Sequence, residues 1–151
     1  LDVPFYKQSD FQCGPASLAS VLNYWNKKTA TEEITIQEII DSIYSPHARG
    51  VLGIDLEIFA RQKGFETLQI EGTAEELRRL IDRGIPPLIL VSYGFSVYHL
   101  DHFLVVKGYN EKGIIVNSKR PDEFISYKEL ERIWKRAGYW MLVIQKNSKE
   151  R

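Results

Sequence analysis

Three segments of this chain open with the same signature, a hydroxyl residue followed three places later by glutamate: Thr35 with Glu38, Thr73 with Glu76, and Ser126 with Glu129. In such a box the hydroxyl accepts the amide N–H three residues on and the glutamate turns back to the first residue, so each signature marks a helix start. The spacing predicts helices over Ile36–Ile43, Ala74–Arg83 and Tyr127–Ala137, with Gly84 and Gly138 ending the last two. Another begins at Gly14-Pro15, where Leu18, Val21, Leu22 and Trp25 recur at three and four and proline presets the first turn. One more covers Ile54–Lys63, stopped at Gly64. Strands are expected at Glu66–Ile70, Leu88–Ser92, His102–Tyr109, Gly113–Asn117 and Trp140–Gln145, with Asn110-Glu111-Lys112-Gly113 as a hairpin turn. Helices first, then a mainly antiparallel sheet with interspersed helices, is an α+β architecture. With 151 residues and no repeat, low-complexity stretch or linker, residues 1–151 read as a single domain.

Composition removes several functions. Twenty basic and twenty acidic residues leave no net charge, so nothing predicts a grip on nucleic acid. The longest apolar run, Ile85 to Val91, is strand-sized, far below the roughly 20 residues that span a bilayer. The single cysteine excludes an internal disulfide and any multi-cysteine zinc site, and Cys13 with His99 and His102 lacks the regular ligand spacing of a metal centre. The chain opens at Leu1 without methionine; an upstream anchor or fused domain, and an extracytoplasmic or membrane-anchored setting, are expectations.

Cys13 stands at the N-terminal edge of the first helix. A lone cysteine is most often a small buried hydrophobe. At a helix N-terminus, however, the partial positive charge favours thiolate, the nucleophilic form. Gly14 beside it removes a side chain and would let a substrate backbone approach.

A nucleophile needs a base, and the chain holds His47, His99 and His102. His102 leads the apolar run Phe103-Leu104-Val105-Val106, an odd place for a polar ring unless it has a task; His99, three residues earlier, is the second candidate, and His47 sits in a loop. For the oxyanion of acyl transfer the Cys13 N–H and the Gln8 amide are the expected donors, Gln12 being adjacent to the cysteine and turned away. A third group must orient the imidazole. Asp101 neighbours His102 on a strand and faces the other way. Asn117, at the end of the next strand, is favoured over its neighbour Ser118, since an amide oxygen accepts an imidazole N–H well and only one of the two can face His102.

The stretches Val3-Pro4-Phe5-Tyr6-Lys7-Gln8, Gln12-Cys13-Gly14-Pro15-Ala16-Ser17-Leu18-Ala19 and His102-Phe103-Leu104-Val105-Val106-Lys107-Gly108-Tyr109 together resemble the bacteriocin-processing (double-glycine) cysteine peptidases of bacteria, and more closely their stand-alone peptidase-like branch. The resemblance implies a papain-like fold with N-terminal helices on the sheet, no cofactor and no metal. It implies Cys13 as nucleophile, His102 as base and Gln8 as oxyanion donor, acting on a peptide or protein. Transporter-linked members of that family cut a leader after two glycines. The family's usual Asp-Pro after the next strand reads here Val116-Asn117-Ser118-Lys119-Arg120-Pro121, and strict alignment puts Ser118 in the aspartate's place. The implied chemistry is thioester-forming hydrolysis through a thiolate–imidazolium pair. The alternative is a peptidase-shaped module that binds peptide without cutting it.

Overall fold

In a computed structural model, which describes residues 1–7, 13–43, 53–94 and 100–146, the chain forms α1 (Cys13–Lys28), α2 (Ile36–Ile43), α3 (Gly53–Gln62), β1 (Phe65–Glu71), α4 (Ala74–Asp82), β2 (Leu88–Ser92), β3 (Asp101–Tyr109), β4 (Gly113–Asn117), β5 (Glu123–Ser126), α5 (Tyr127–Lys135) and β6 (Trp140–Lys146). The predicted helix starts are present as capped ends. The amides of Glu38, Glu76 and Glu129 donate to Thr35, Thr73 and Ser126 at 3.0, 3.1 and 3.2 Å. Gly64, Gly84 and Gly138 take positive φ after their helices, the conformation glycine adopts without a Cβ clash. The 110–113 hairpin forms as expected, with the Asn110 side chain accepting from the amides of Lys112 and Gly113.

The strands join in one sheet, in the order β1-β6-β2-β3-β4-β5, with every neighbouring pair antiparallel. Alternation along the strands sorts their side chains to two faces. Leu88, Phe103, Val105, Leu142 and Ile144 meet Leu18, Leu22, Ile39, Leu56 and Phe59 of α1, α2 and α3. Ile89, Val91, Leu104, Val106, Val116 and Met141 meet Leu77, Leu130, Ile133 and Trp134 of α4 and α5. Both faces of the central strands are therefore covered, which explains why 88–91 and 103–106 are continuously apolar rather than alternating.

β5 has no counterpart in the sequence reading. It is a four-residue edge strand with two apolar residues, and Phe124 is half exposed, too little to leave a period-two signal. Its pairing is nonetheless tight. A Cβ on Gly113 would lie 2.2 Å from the Ile125 carbonyl oxygen, so only glycine lets β4 approach β5 this closely.

One feature of the sheet positions the site. β3 runs nine residues, but its pairing with β4 reaches only to Val105 opposite Asn117. Residues 101–104 of β3 thus extend past the end of β4, leaving a notch beside the strand.

Candidate active site

The notch is filled from one side by the start of α1. The Val106 amide donates to Pro87 on the β2 side, so by alternation the backbone groups of Phe103 point the opposite way, toward the notch. There the Phe103 carbonyl accepts from Ser17 Oγ at 3.3 Å, and the Phe103 backbone N–H bonds to the Cys13 sulfur. Cys13 is the first residue of α1 and is half-buried, with Gly14, Pro15, Ala16 and Ser17 buried behind it. The nucleophile expected from sequence is therefore pinned to β3 one residue from His102.

His102 reaches the site from the other face of the sheet, the face of Leu104 and Val106. Its Nε2 lies 3.0 Å from Ser118 Oγ, and Ser118 is buried. A serine hydroxyl can accept from Nε2–H, which leaves the Nδ1 lone pair as the basic position. Asn117, the residue favoured from sequence as the orienting group, faces the opposite side of the sheet. Its amide donates to the Val3 carbonyl at 3.3 Å and its oxygen accepts from the Asp122 amide at 3.2 Å. The reason is register. Asn117 pairs with Val105 and shares its face, whereas Ser118 shares the face of Val116 and, across the strand, of His102. The amide that looked suited to imidazole instead ties the N-terminal segment to the turn after β4. Lys107 holds the same turn through an ion pair with Asp122 at 2.7 Å, where Asp122 takes a φ of 57°.

The electrostatics differ from the ion pair expected. Burial pushes the Cys13 thiol up from its ordinary value of 9.0, against the smaller opposing effects of the backbone N–H groups of Phe103, Gly14 and Cys13 and of the Lys119 charge. Burial also lowers the His102 imidazole below 6.5, reinforced by Lys119 and opposed by Glu123. Both shifts favour the uncharged forms. The helix terminus acts in the expected direction, but desolvation outweighs it, so near neutral pH the balance favours a thiol and a neutral imidazole. A neutral Ser118, where a carboxylate would have stabilised imidazolium, is consistent with this state.

A cleft of about 800 Å³ opens beside His102, lined among the described residues by Tyr93, Leu100, Asp101, His102, Ser118, Lys119, Arg120 and Glu123. The exposed faces of Tyr93 and Leu100 give it an apolar wall. Sequence reasoning weighed Ser118 second and did not single out Tyr93, Lys119 or Glu123. Lys119 was legible only as the neighbour of Ser118. Gly14, expected to let a substrate backbone approach, is buried within α1. Gln8 and His99, expected as oxyanion donor and substrate contact, lie outside the described residues, as do Gln12 and His47. Among the described residues no cluster of histidine, cysteine and carboxylates could hold a metal ion.

The profile of the Peptidase_C39-like family matches residues 1–140. The chain belongs to that family. Its members are cysteine peptidases of the C39 type, and the fold is the papain-like one those peptidases share. Among solved structures, a C39-like peptidase of Bacillus anthracis superposes with a TM-score of 0.77 at 17% identity, covering 97% of this chain and 96% of that one. A double-glycine motif protease from an AMS/PCAT transporter, in complex with the leader peptide, gives 0.75 at 22%, covering 97% and 93%. The peptidase domain of Streptococcus ComA, a bifunctional ABC transporter of a quorum-sensing pathway, gives 0.72 at 19%, covering 96% and 98%. At these identities the likeness establishes the fold. No curated protein matches the sequence.

Proposed function

We propose that this C39-like domain is a cysteine peptidase that cleaves a peptide through a Cys13 thioester. The observation that carries the reading is the junction at the notch: Cys13 bonded to β3 at Phe103 while the next residue, His102, is held by Ser118 through Nε2. In the proposed reaction His102 Nδ1 takes the thiol proton as sulfur attacks the peptide carbonyl, so charge develops only in the transition state. The Cys13 N–H, with the Gln8 amide as its proposed partner, receives the oxyanion. His102 then protonates the leaving amine and the C–N bond breaks. Water, deprotonated by the same imidazole, hydrolyses the thioester and returns sulfur its proton.

The substrate proposed is a peptide with small residues, glycine above all, before the scissile bond. Family membership supports this, together with the leader-bound protease among the solved relatives. By the same likeness the domain is proposed to act beside a membrane through sequence outside this chain. Among the described residues no helix is long and apolar enough to cross one. A second reading, a module that binds peptide without cutting it, is favoured by the neutral Cys13–His102 pair and the absence of a carboxylate at Ser118. A peptide library incubated with wild type and Cys13→Ala separates the two. Cleavage by wild type alone supports the peptidase, whereas binding by both proteins without cleavage supports the module.

A further inference from the structure

We propose that Lys119 selects a carboxylate on the leaving-group side of the scissile bond, so that the preferred peptide carries aspartate or glutamate immediately after the cut. This deepens the peptidase reading and rests on it for the direction of the peptide. The imidazole that protonates the leaving amine must lie under the leaving half of the substrate, which therefore runs over His102 and away from Cys13. The wall on that side of the cleft is the turn after β4, where Ser118 bonds His102 and Lys119 and Arg120 follow directly.

The two cations differ in what they can offer a ligand. Arg120 Nε is 3.4 Å from the Glu123 carboxylate, so much of its charge is already answered. Lys119 is exposed, lines the cleft, and has no ion-pair partner among the described residues. The Lys119 charge favours the Cys13 thiolate and disfavours protonation of His102. The ammonium thus sits within electrostatic reach of the reacting atoms and points its charge into the space the leaving peptide must occupy. The turn is clamped by Asn117 and by the Lys107–Asp122 ion pair, so the backbone carrying Lys119 is held in place before substrate arrives.

The test needs no known substrate at first. Cys13 would be alkylated with iodoacetate and with iodoacetamide, which differ in charge and little in size, in wild type and Lys119→Gln. The wild-type ratio of rates should exceed that of free cysteine and fall by roughly two- to five-fold in the variant, as one partly exposed charge pair allows. The difference should shrink as salt rises. A ratio unchanged by Lys119→Gln would overturn the proposal. A second arm compares amidated peptides with aspartate or asparagine after the scissile bond, and a free terminal carboxylate at the same place. Wild type should prefer aspartate by a similar factor and the variant should not. Preference for the terminal carboxylate over the side chain would reassign the carboxylate's source and overturn the aspartate assignment. A Lys119-dependent alkylation ratio with no peptide cut would uphold the carboxylate site and remove the peptidase reading. Cleavage indifferent to the acidic residue would do the reverse.

Discussion

Replacing Ser118 by aspartate should convert the neutral Cys13–His102 pair into a charged one. The substitution puts a carboxylate where Ser118 Oγ lies, 3.0 Å from His102 Nε2, at a position only 6% exposed. Opposite unit charges about 4 Å apart attract by roughly 4 kcal/mol at the effective dielectric of a protein surface. Burying the new carboxylate opposes this by several kcal/mol. The net expectation is that of a carboxylate beside a titrating group, an upward shift of about one to three pKa units for His102. In wild type the imidazole sits below 6.5, so between that folded value and 6.5 the unfolded chain binds more protons. Its contribution to stability is complete above 6.5 and is lost as pH falls through the folded value. Once the Ser118→Asp shift carries His102 above 6.5 the order reverses: the contribution is complete below 6.5 and is lost as pH rises through the new, higher value. Ring-proton NMR titration of the three histidines, assigned by single substitutions of His47 and His99, reads the shift directly. A folded variant whose His102 titrates no higher than wild type's would refute the placement of Ser118 against Nε2 and the account of the neutral pair.

Asn117→Ala should destabilise by about 1–3 kcal/mol, because it orphans the Asp122 amide and the Val3 carbonyl, yet leave turnover per folded molecule close to wild type. Urea melts and active-site titration separate the two effects. Ser118→Ala should differ by its effect on turnover, with kcat per folded molecule down roughly 10- to 100-fold from the lost charge-assisted hydrogen bond in the transition state. Gly113→Ala should cost about 1–3 kcal/mol or more in thermal unfolding, since its Cβ would overlap the Ile125 carbonyl and β5 would have to move. Cys13 alkylation by iodoacetamide should keep rising above pH 9.0, because burial holds the thiol protonated past its ordinary value.

The fold was legible where local chemistry decides structure. The three capping boxes, the glycines after α3, α4 and α5, and the Asn110 hairpin each satisfy backbone groups through residues a few places apart, so spacing alone locates them. β5 was not legible, because its four residues are held by pairing with β4 rather than by a pattern of their own. At the site, Cys13 and His102 stood out as residue types in places that need a reason, and the structure bonds the Cys13 sulfur to the backbone of Phe103, the residue after His102. Which of Asn117 and Ser118 faces the imidazole depends on the register of β4 against β3, a long-range property; a shift of one residue exchanges the two faces. The balance of charge at the site was not legible for a related reason. A helix terminus can be read from sequence, whereas the burial that outweighs it comes from the whole fold closing around the notch.

The most direct test of the central claim, that Cys13 forms a thioester with assistance from His102, is rapid mixing of the protein with a peptidyl thioester ending in Gly-Gly, followed by acid quench and intact mass measurement. The account predicts a burst of one leaving group per protein and a peptidyl adduct on the fragment containing Cys13. The adduct should be absent in Cys13→Ala and form at least about ten-fold more slowly in His102→Ala, the scale of general-base assistance. An unmodified Cys13 across neutral and mildly alkaline pH, or an adduct forming equally fast without His102, would contradict it.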